Sequence, residues 1–331
     1  GGRMKQKFGI SRVLAILAVA LFAAGVSLIQ SNYTVLVINT SLMYAIVAYG
    51  LSVMLGMGGQ LVFSGTAFMG IGAYITANLC SGRLGFSAAT PVALLISVAG
   101  AGLVALLTGM LFLRLKSSFC TFATLGFVQV LYSLFQNHEP AFGGTKGIPN
   151  ISTLKLFGHP VTGYKQWFYV FLFAVVLVAL VVEGIRRSRL GRSLASIRDN
   201  EIAAQVMGVN IYWTRVIAFV VAGLFAGLAG SLLAFQNGFI SADLFTFKKS
   251  STLVIMSMLG GINSTLGIAV GALIVTFLPE VMRGLDNYLV FLYGFVVIFM
   301  MIFMPMGIGG LVSDYARKLR RRRRLGGGKN A

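Results

Sequence analysis

Acidic side chains are scarce in this chain. Eight Asp and Glu stand among 331 residues, against 27 Lys and Arg. Charged residues of both signs make up 11%, where a soluble domain carries roughly 25%, so an ordinary soluble fold is excluded. None of the eight carboxylates (Glu139, Glu183, Asp199, Glu201, Asp243, Glu280, Asp286, Asp314) falls in the middle of an apolar run. Carriers coupled to protons or sodium draw on intramembrane carboxylates, which weighs against a self-contained secondary carrier. Glu183 and Glu280 lie near run ends and read as interfacial snorkelling. Two cysteines, Cys80 and Cys120, are too few for a disulfide scaffold. Predicted near opposite membrane faces, they cannot bridge and read as small buried hydrophobes. The two histidines, His138 and His159, share one loop, and no HExxH or Cys/His metal spacing occurs. No G-x-x-x-x-G-K-[ST] pattern is present, which excludes ATP binding by a P-loop.

What is abundant is apolar sequence: 57% of residues are hydrophobic and the mean hydropathy is +0.87. Several runs of about 18 or more residues carry no charge, the mark of membrane-crossing helices. Backbone in lipid must satisfy its own hydrogen bonds, and the alternating short segments of a β-barrel are absent. The predicted fold is an all-α polytopic transmembrane bundle of about 8–10 spans with broken or re-entrant helices. The runs fall near 12–30, 34–56, 66–81, 89–113, 117–135, 166–184, 214–235, 250–263, 265–282 and 288–304. The segments 250–263 and 265–282 are short and tightly joined by Gly260–Gly267, so they read as two spans or as one re-entrant pair. The first run lacks a small-residue exit site and reads as a retained anchor. The chain divides into an N-terminal tail (1–11), a membrane domain (12–312) and a basic tail (313–331).

The net charge of +19 is spread through loops and tails. With the N-terminus inside, 20 of the 27 Lys and Arg fall on the cytoplasmic side, and seven (Arg83, Lys146, Lys155, Lys165, Lys248, Lys249, Arg283) fall on the other. This bias predicts N-in and C-in topology. Residues 137–165 then form the longest external loop, a folded turn region and the natural docking face for an external partner. The tail Arg317–Arg324 reads as an anchor on anionic membrane lipid. No aromatic or glycine pattern accompanies it, so nucleic acid is not an expected partner.

Two glycine-rich breaks interrupt the apolar pattern, at Gly56–Gly65 and Leu259–Gly267. Broken helices at membrane depth are compatible with a solute pathway or with close helix packing. Polarity at depth nominates Gln60, Ser64, Thr121, Thr124 and Asn263 as pathway candidates. Gly223, Gly227 and Gly230, spaced four and three apart, read as packing glycines.

The strongest feature is a polar island, Arg186 to Arg215, between the apolar runs Trp167–Val182 and Val216–Phe235. It occupies the predicted cytoplasmic loop 186–214. Its core, Leu194–Met207, reads as one amphipathic helix in which Ile197, Ile202, Val206 and Val209 recur at near-helical spacing. Asp199 or Asn200 can cap it, Ala203 and Ala204 leave room for close docking, and Gly208 can end it. Asp199 and Glu201 would be repelled by anionic lipid, so a protein socket is the expected partner.

At these residues the chain resembles a known family. Glu201-Ile202-Ala203-Ala204-Gln205-Val206-Met207-Gly208 is similar to the E-A-A-x-x-x-G loop of ABC-importer permeases, with one extra residue after the Glu. More specifically, the chain resembles the LivM-type permeases of branched-chain amino acid ABC importers. That resemblance rests on Gly59-Gln60-Leu61 through Tyr74, Gly143-Gly144-Thr145-Lys146-Gly147-Ile148, and Met258-Leu259-Gly260-Gly261 through Gly271 with Pro279-Glu280. It runs from about Leu42 to Leu311. It implies a multi-pass subunit of a bacterial inner membrane with no cofactor of its own. ATP would be bound by two cytoplasmic partner subunits, the mate would be a homologous permease (a heterodimer), and solute would arrive on a periplasmic binding protein. Arg198, Asp199, Glu201, Ala203, Ala204 and Gly208 would couple to an ATPase, while Gly143, Gly144, Thr145 and Lys146 would dock the binding protein. The chain departs from the family at Val62–Thr66, Gln129, Lys146, Asn263 and Ile268. Relatives carry urea, other amino acids, nucleosides or sugars, so the solute stays open.

Overall fold

The computed structural model describes residues 30–82, 89–156, 159–261 and 264–281, with positions 23, 25, 26, 294, 295 and 298 beside them. The predicted spans 12–30 and 288–304, both tails and Asn263 lie largely or wholly outside the described residues. Within them the chain is helical. α1 is Asn32–Ser52, continued by a π-turn at Val53–Met57. α2 is Gly65–Cys80, α3 Thr90–Phe112, α4 Ser117–Asn137 and the short α5 Glu139–Phe142. α6 is Tyr164–Arg187, α7 Arg189–Asp199, α8 Glu201–Val206, α9 Ile211–Asn237, α10 Phe247–Gly260 and α11 Thr265–Val281. The described β structure is an antiparallel pair, β1 (Lys155–Leu156) with β2 (His159–Pro160), and one bridge, Ile148 to Ile240.

α1 and α9 form the centre. Ser31 caps α1 by accepting from the Thr34 N–H (3.4 Å), and Asn210 caps α9 by accepting from the Trp213 N–H (3.1 Å). α2 and α3 pack on α9, and α6 packs on α1. The approach is close because α9 carries small residues on its buried face. A Cβ at Gly223 would strike Ala105, one at Gly227 would strike Ala101, and one at Gly230 would strike the Met69 backbone. With no hydrophobic force between helices in lipid, such contacts supply the packing energy. The Thr76 hydroxyl donates to Ser231 Oγ (2.7 Å), adding a buried tie between α2 and α9. Cys80 and Cys120 are buried and form no disulfide.

Five described helices are long and apolar enough to cross a membrane. α2, α10 and α11 have 16, 14 and 17 residues. At 1.5 Å per residue these reach only about 24, 21 and 26 Å, short of the roughly 30 Å hydrocarbon core. α10 and α11 form a tight hairpin, since Gly260 lies against Ile268 and Gly271 with no room for a Cβ. Its turn sits at the island end of the bundle, where the Tyr49 hydroxyl donates to the Thr265 carbonyl (2.7 Å). The sequence pattern placed Lys248 and Lys249 in an external loop. They belong to the first turn of α10.

Candidate functional site

The island begins where α6 ends. Ser188 accepts from the Gly191 N–H (3.4 Å) and starts α7, whose Leu194 and Ile197 are buried. Arg198 donates to the Gly56 carbonyl (2.7 Å) and lies over Gly59, whose φ is +66°. Residues 194–207 are divided between two helices, and Asn200, one of the two nominated N-caps, caps the second. Asn200 is extended (φ −159°, ψ 110°), and its side chain accepts from the Ala203 N–H (3.0 Å), capping α8. The kink divides the predicted apolar face. Ile197 turns into the bundle, while Ile202, Val206 and Met207 are 77%, 81% and 84% exposed. Ala204 is buried beneath α8 and Ala203 lies open above it. Gly208, at φ +81°, ends the segment. Arg215 clamps Glu201 with two bonds of 2.9 and 3.0 Å, fixing α8 to the start of α9.

The predicted coupling residues therefore have unlike roles. Arg198 grips the chain's own π-turn, Glu201 is occupied by Arg215, and the surface offered outward is made by Ile202, Val206 and Met207 around Ala203 and Asp199. Periodicity marked the two isoleucines and Val206 but could not tell which side of the break each would take. Beside α8 a cleft of about 630 Å³ is lined by Arg114, Lys116, Glu201, Gln205, Tyr212 and Arg215. The α3–α4 turn and the island thus share one end of the bundle.

The first glycine-rich break is a true interruption. α1 widens into the π-turn, and residues 58–64 are non-helical before α2 begins. Non-helical backbone inside the bundle needs outside partners, and the nominated threonines provide them. Thr121 Oγ donates to the Leu61 carbonyl (2.9 Å), and Thr124 Oγ accepts from the Phe63 N–H (3.2 Å). Ser250 Oγ donates to the Phe63 carbonyl. Thr121 and Thr124, expected along a pathway, are thus committed to backbone. Gln60 and Ser64 are buried at 1% exposure each, and among the described residues nothing hydrogen-bonds the Gln60 Oε1.

At the opposite end Gly143, Gly144 and Gly147 all have positive φ. They fold 143–147 into a turn whose end is pinned by the Ile148–Ile240 bridge. Gly143 and Gly144 are buried in it, which leaves Thr145 and Lys146 as the accessible members of that nominated set. Glu183, expected to snorkel, instead bonds Arg187 Nε (2.7 Å), Arg186 (3.2 Å) and the Thr265 hydroxyl (3.4 Å). This cluster joins the island to the α10–α11 hairpin. Glu183, Arg186 and Arg187 are neighbours on one helix, but Thr265 is about 80 residues away in sequence, so no local signal announces its part.

A helical bundle with five helices long and apolar enough to cross a membrane, broken between α1 and α2 and carrying an exposed apolar segment at one end, defines a polytopic membrane protein. The chain belongs to the family described as branched-chain amino acid transport system / permease component, whose model matches residues 33–305. It is 30% identical to the high-affinity branched-chain amino acid transport system permease protein LivM of Escherichia coli K12, over 93% of this chain and 76% of that protein. It is 29% identical to the autoinducer 2 import system permease LsrC of Enterobacter sp. strain 638, over 70% of this chain and 68% of that one. It is 24% identical to the galactose/methyl galactoside import permease MglC of Haemophilus influenzae, over 82% and 86%. No solved structure matches significantly.

Proposed function

We propose that this chain is the membrane subunit of an ABC importer for branched-chain or closely related amino acids in a bacterial inner membrane. A homologous permease completes the channel, two cytoplasmic ATPases drive it, and a periplasmic binding protein delivers the solute. The observation that carries the coupling assignment is α8: three apolar side chains more than three-quarters exposed at Ile202, Val206 and its C-cap Met207, on a capped helix that is clamped to α9 and joined to α6 through α7. Exposed apolar side chains on a rigid polar-flanked mount fit a protein groove better than water or lipid headgroups. Movement of α8 would pass through Arg198 to the broken segment, and through the Glu183–Arg186 cluster to the α10–α11 hairpin. The amino-acid assignment is supported by the 30% identity to LivM.

Reconstitution tests the reading. Proteoliposomes holding the chain, its permease mate and the ATPases should accumulate leucine when ATP and binding protein are supplied. Omitting either the ATPases or the binding protein should abolish uptake. Leucine flux through this chain alone would place it with the self-contained carriers or channels instead.

A further inference from the structure

The middle of the bundle carries two lysines that the coupling route does not use. α10 runs antiparallel to α4: Asp243, just before it, accepts from the Tyr132 hydroxyl (3.3 Å), while Ser250 donates to the carbonyl of Phe63, the residue whose N–H donates to Thr124. Thr124 is the eighth residue of the 21-residue α4, about 10 Å along an axis of about 32 Å. Lys248 and Lys249, two and one residues before Ser250, are therefore level with Leu125 and Gly126, about two-fifths of the way along α4. Lys248 is exposed and Lys249 half-buried. Among the described residues no hydrogen bond or ion pair holds either ammonium, and Asp243 acts on Lys249 from a distance. On α4, Phe122, Gly126, Gln129 and Ser133 are exposed at spacings of four, three and four, so they share one face. That face adjoins Tyr132, the residue that bonds Asp243. Phe63 and Phe247 close its base, with ring centroids 6.0 Å apart.

An ammonium facing lipid at bilayer centre costs at least roughly 2.5–3.5 kcal/mol, and an exposed mid-span glutamine adds to that. These groups must face water or a polar partner. We infer that Lys248 and Lys249, with Gln129 about one turn further along α4, form a mid-membrane subsite for the carboxylate of the translocated solute, on the face closed by the permease mate. The first turn of α10 adds its positive dipole end to the same place. A neutral sugar gains nothing from two cations, whereas an amino acid presents the matching anion. The inference rests on the importer reading and narrows its solute class.

The test uses the assembled importer in membranes. Gln129→Cys, or Ser133→Cys should the first variant misassemble, is exposed to an anionic sulfonatoethyl and a cationic trimethylammonioethyl methanethiosulfonate. Rates are normalised to those on a free thiol, and the parent with its buried Cys80 and Cys120 serves as blank. The introduced thiol should react roughly fivefold faster with the anion, and Lys248→Met with Lys249→Met should erase that preference. A thiol that stays unreactive, or that shows no preference for the anion, overturns the subsite. In the uptake assay the paired Met substitutions should lower leucine transport roughly tenfold, as for loss of a charge-assisted hydrogen bond, while paired Arg substitutions retain most of it. Undiminished uptake in the Met pair also overturns the subsite. If the unsubstituted complex takes up no leucine, the importer reading fails, and the reagent assay still decides the subsite.

Discussion

Single residues here act mostly through backbone. Thr124 satisfies the Phe63 N–H (3.2 Å) where no helix can, so Thr124→Val should leave a buried donor unpaired and cost about 1–3 kcal/mol. A drop in melting temperature of the purified protein would show it, and an unchanged melt would mean that water or a shifted neighbour replaces the bond. Glycines divide by what surrounds them. A side chain at Gly230 meets the Met69 backbone, which cannot yield, whereas at Gly126 nothing lies within 4 Å. Gly230→Leu should prevent stable assembly in the membrane, and Gly126→Ala should melt at or slightly above the parent temperature, since alanine favours helix by up to about 1 kcal/mol. Equal stability of the two variants would refute the packing assigned to α9. The spacing of Gly223, Gly227 and Gly230 already suggested this role. The role of Thr121 and Thr124 was hidden, because polarity at depth cannot distinguish a side chain facing solute from one serving a neighbour's carbonyl.

Among elements, α8 depends on the break at Asn200. Asn200→Ala removes the bond to the Ala203 N–H (3.0 Å) and should cost about 1 kcal/mol of local helix stability. It should weaken stimulation of the partner ATPases without changing membrane insertion. Full stimulation would mean that the cap is dispensable for α8 placement. Helix ends for most apolar runs were legible to within a few residues, because long runs without charge leave few alternatives. The island was legible as amphipathic, yet its division into α7 and α8 was not. Asn200 is a good cap, but periodicity passes through it unbroken, and only packing of Leu194 and Ile197 against the bundle turns one half inward. The inclusion of Lys248 and Lys249 in the first turn of α10 was likewise missed, since a charged pair beside an apolar run ordinarily marks a helix end.

The whole molecule keeps its two ends apart. Arg114, Lys116, Arg215 and the island gather at one end, and Thr145 and Lys146 lie in the loop region at the other. Between them, the broken α1–α2 segment and the α10–α11 hairpin are both tied to the island, by Arg198 (2.7 Å to Gly56) and by Glu183 (3.4 Å to Thr265). A push on α8 thus has two routes into the membrane interior. The most direct test replaces Ile202 and Val206 together with Asp in the assembled importer and measures ATP hydrolysis stimulated by the binding protein alongside leucine uptake. If α8 is the seat of the ATPase, both activities should fall by roughly tenfold or more, as expected when apolar anchors at the centre of an interface are lost, while the chain still inserts and pairs with its mate. Unaltered hydrolysis and uptake in that variant would contradict it.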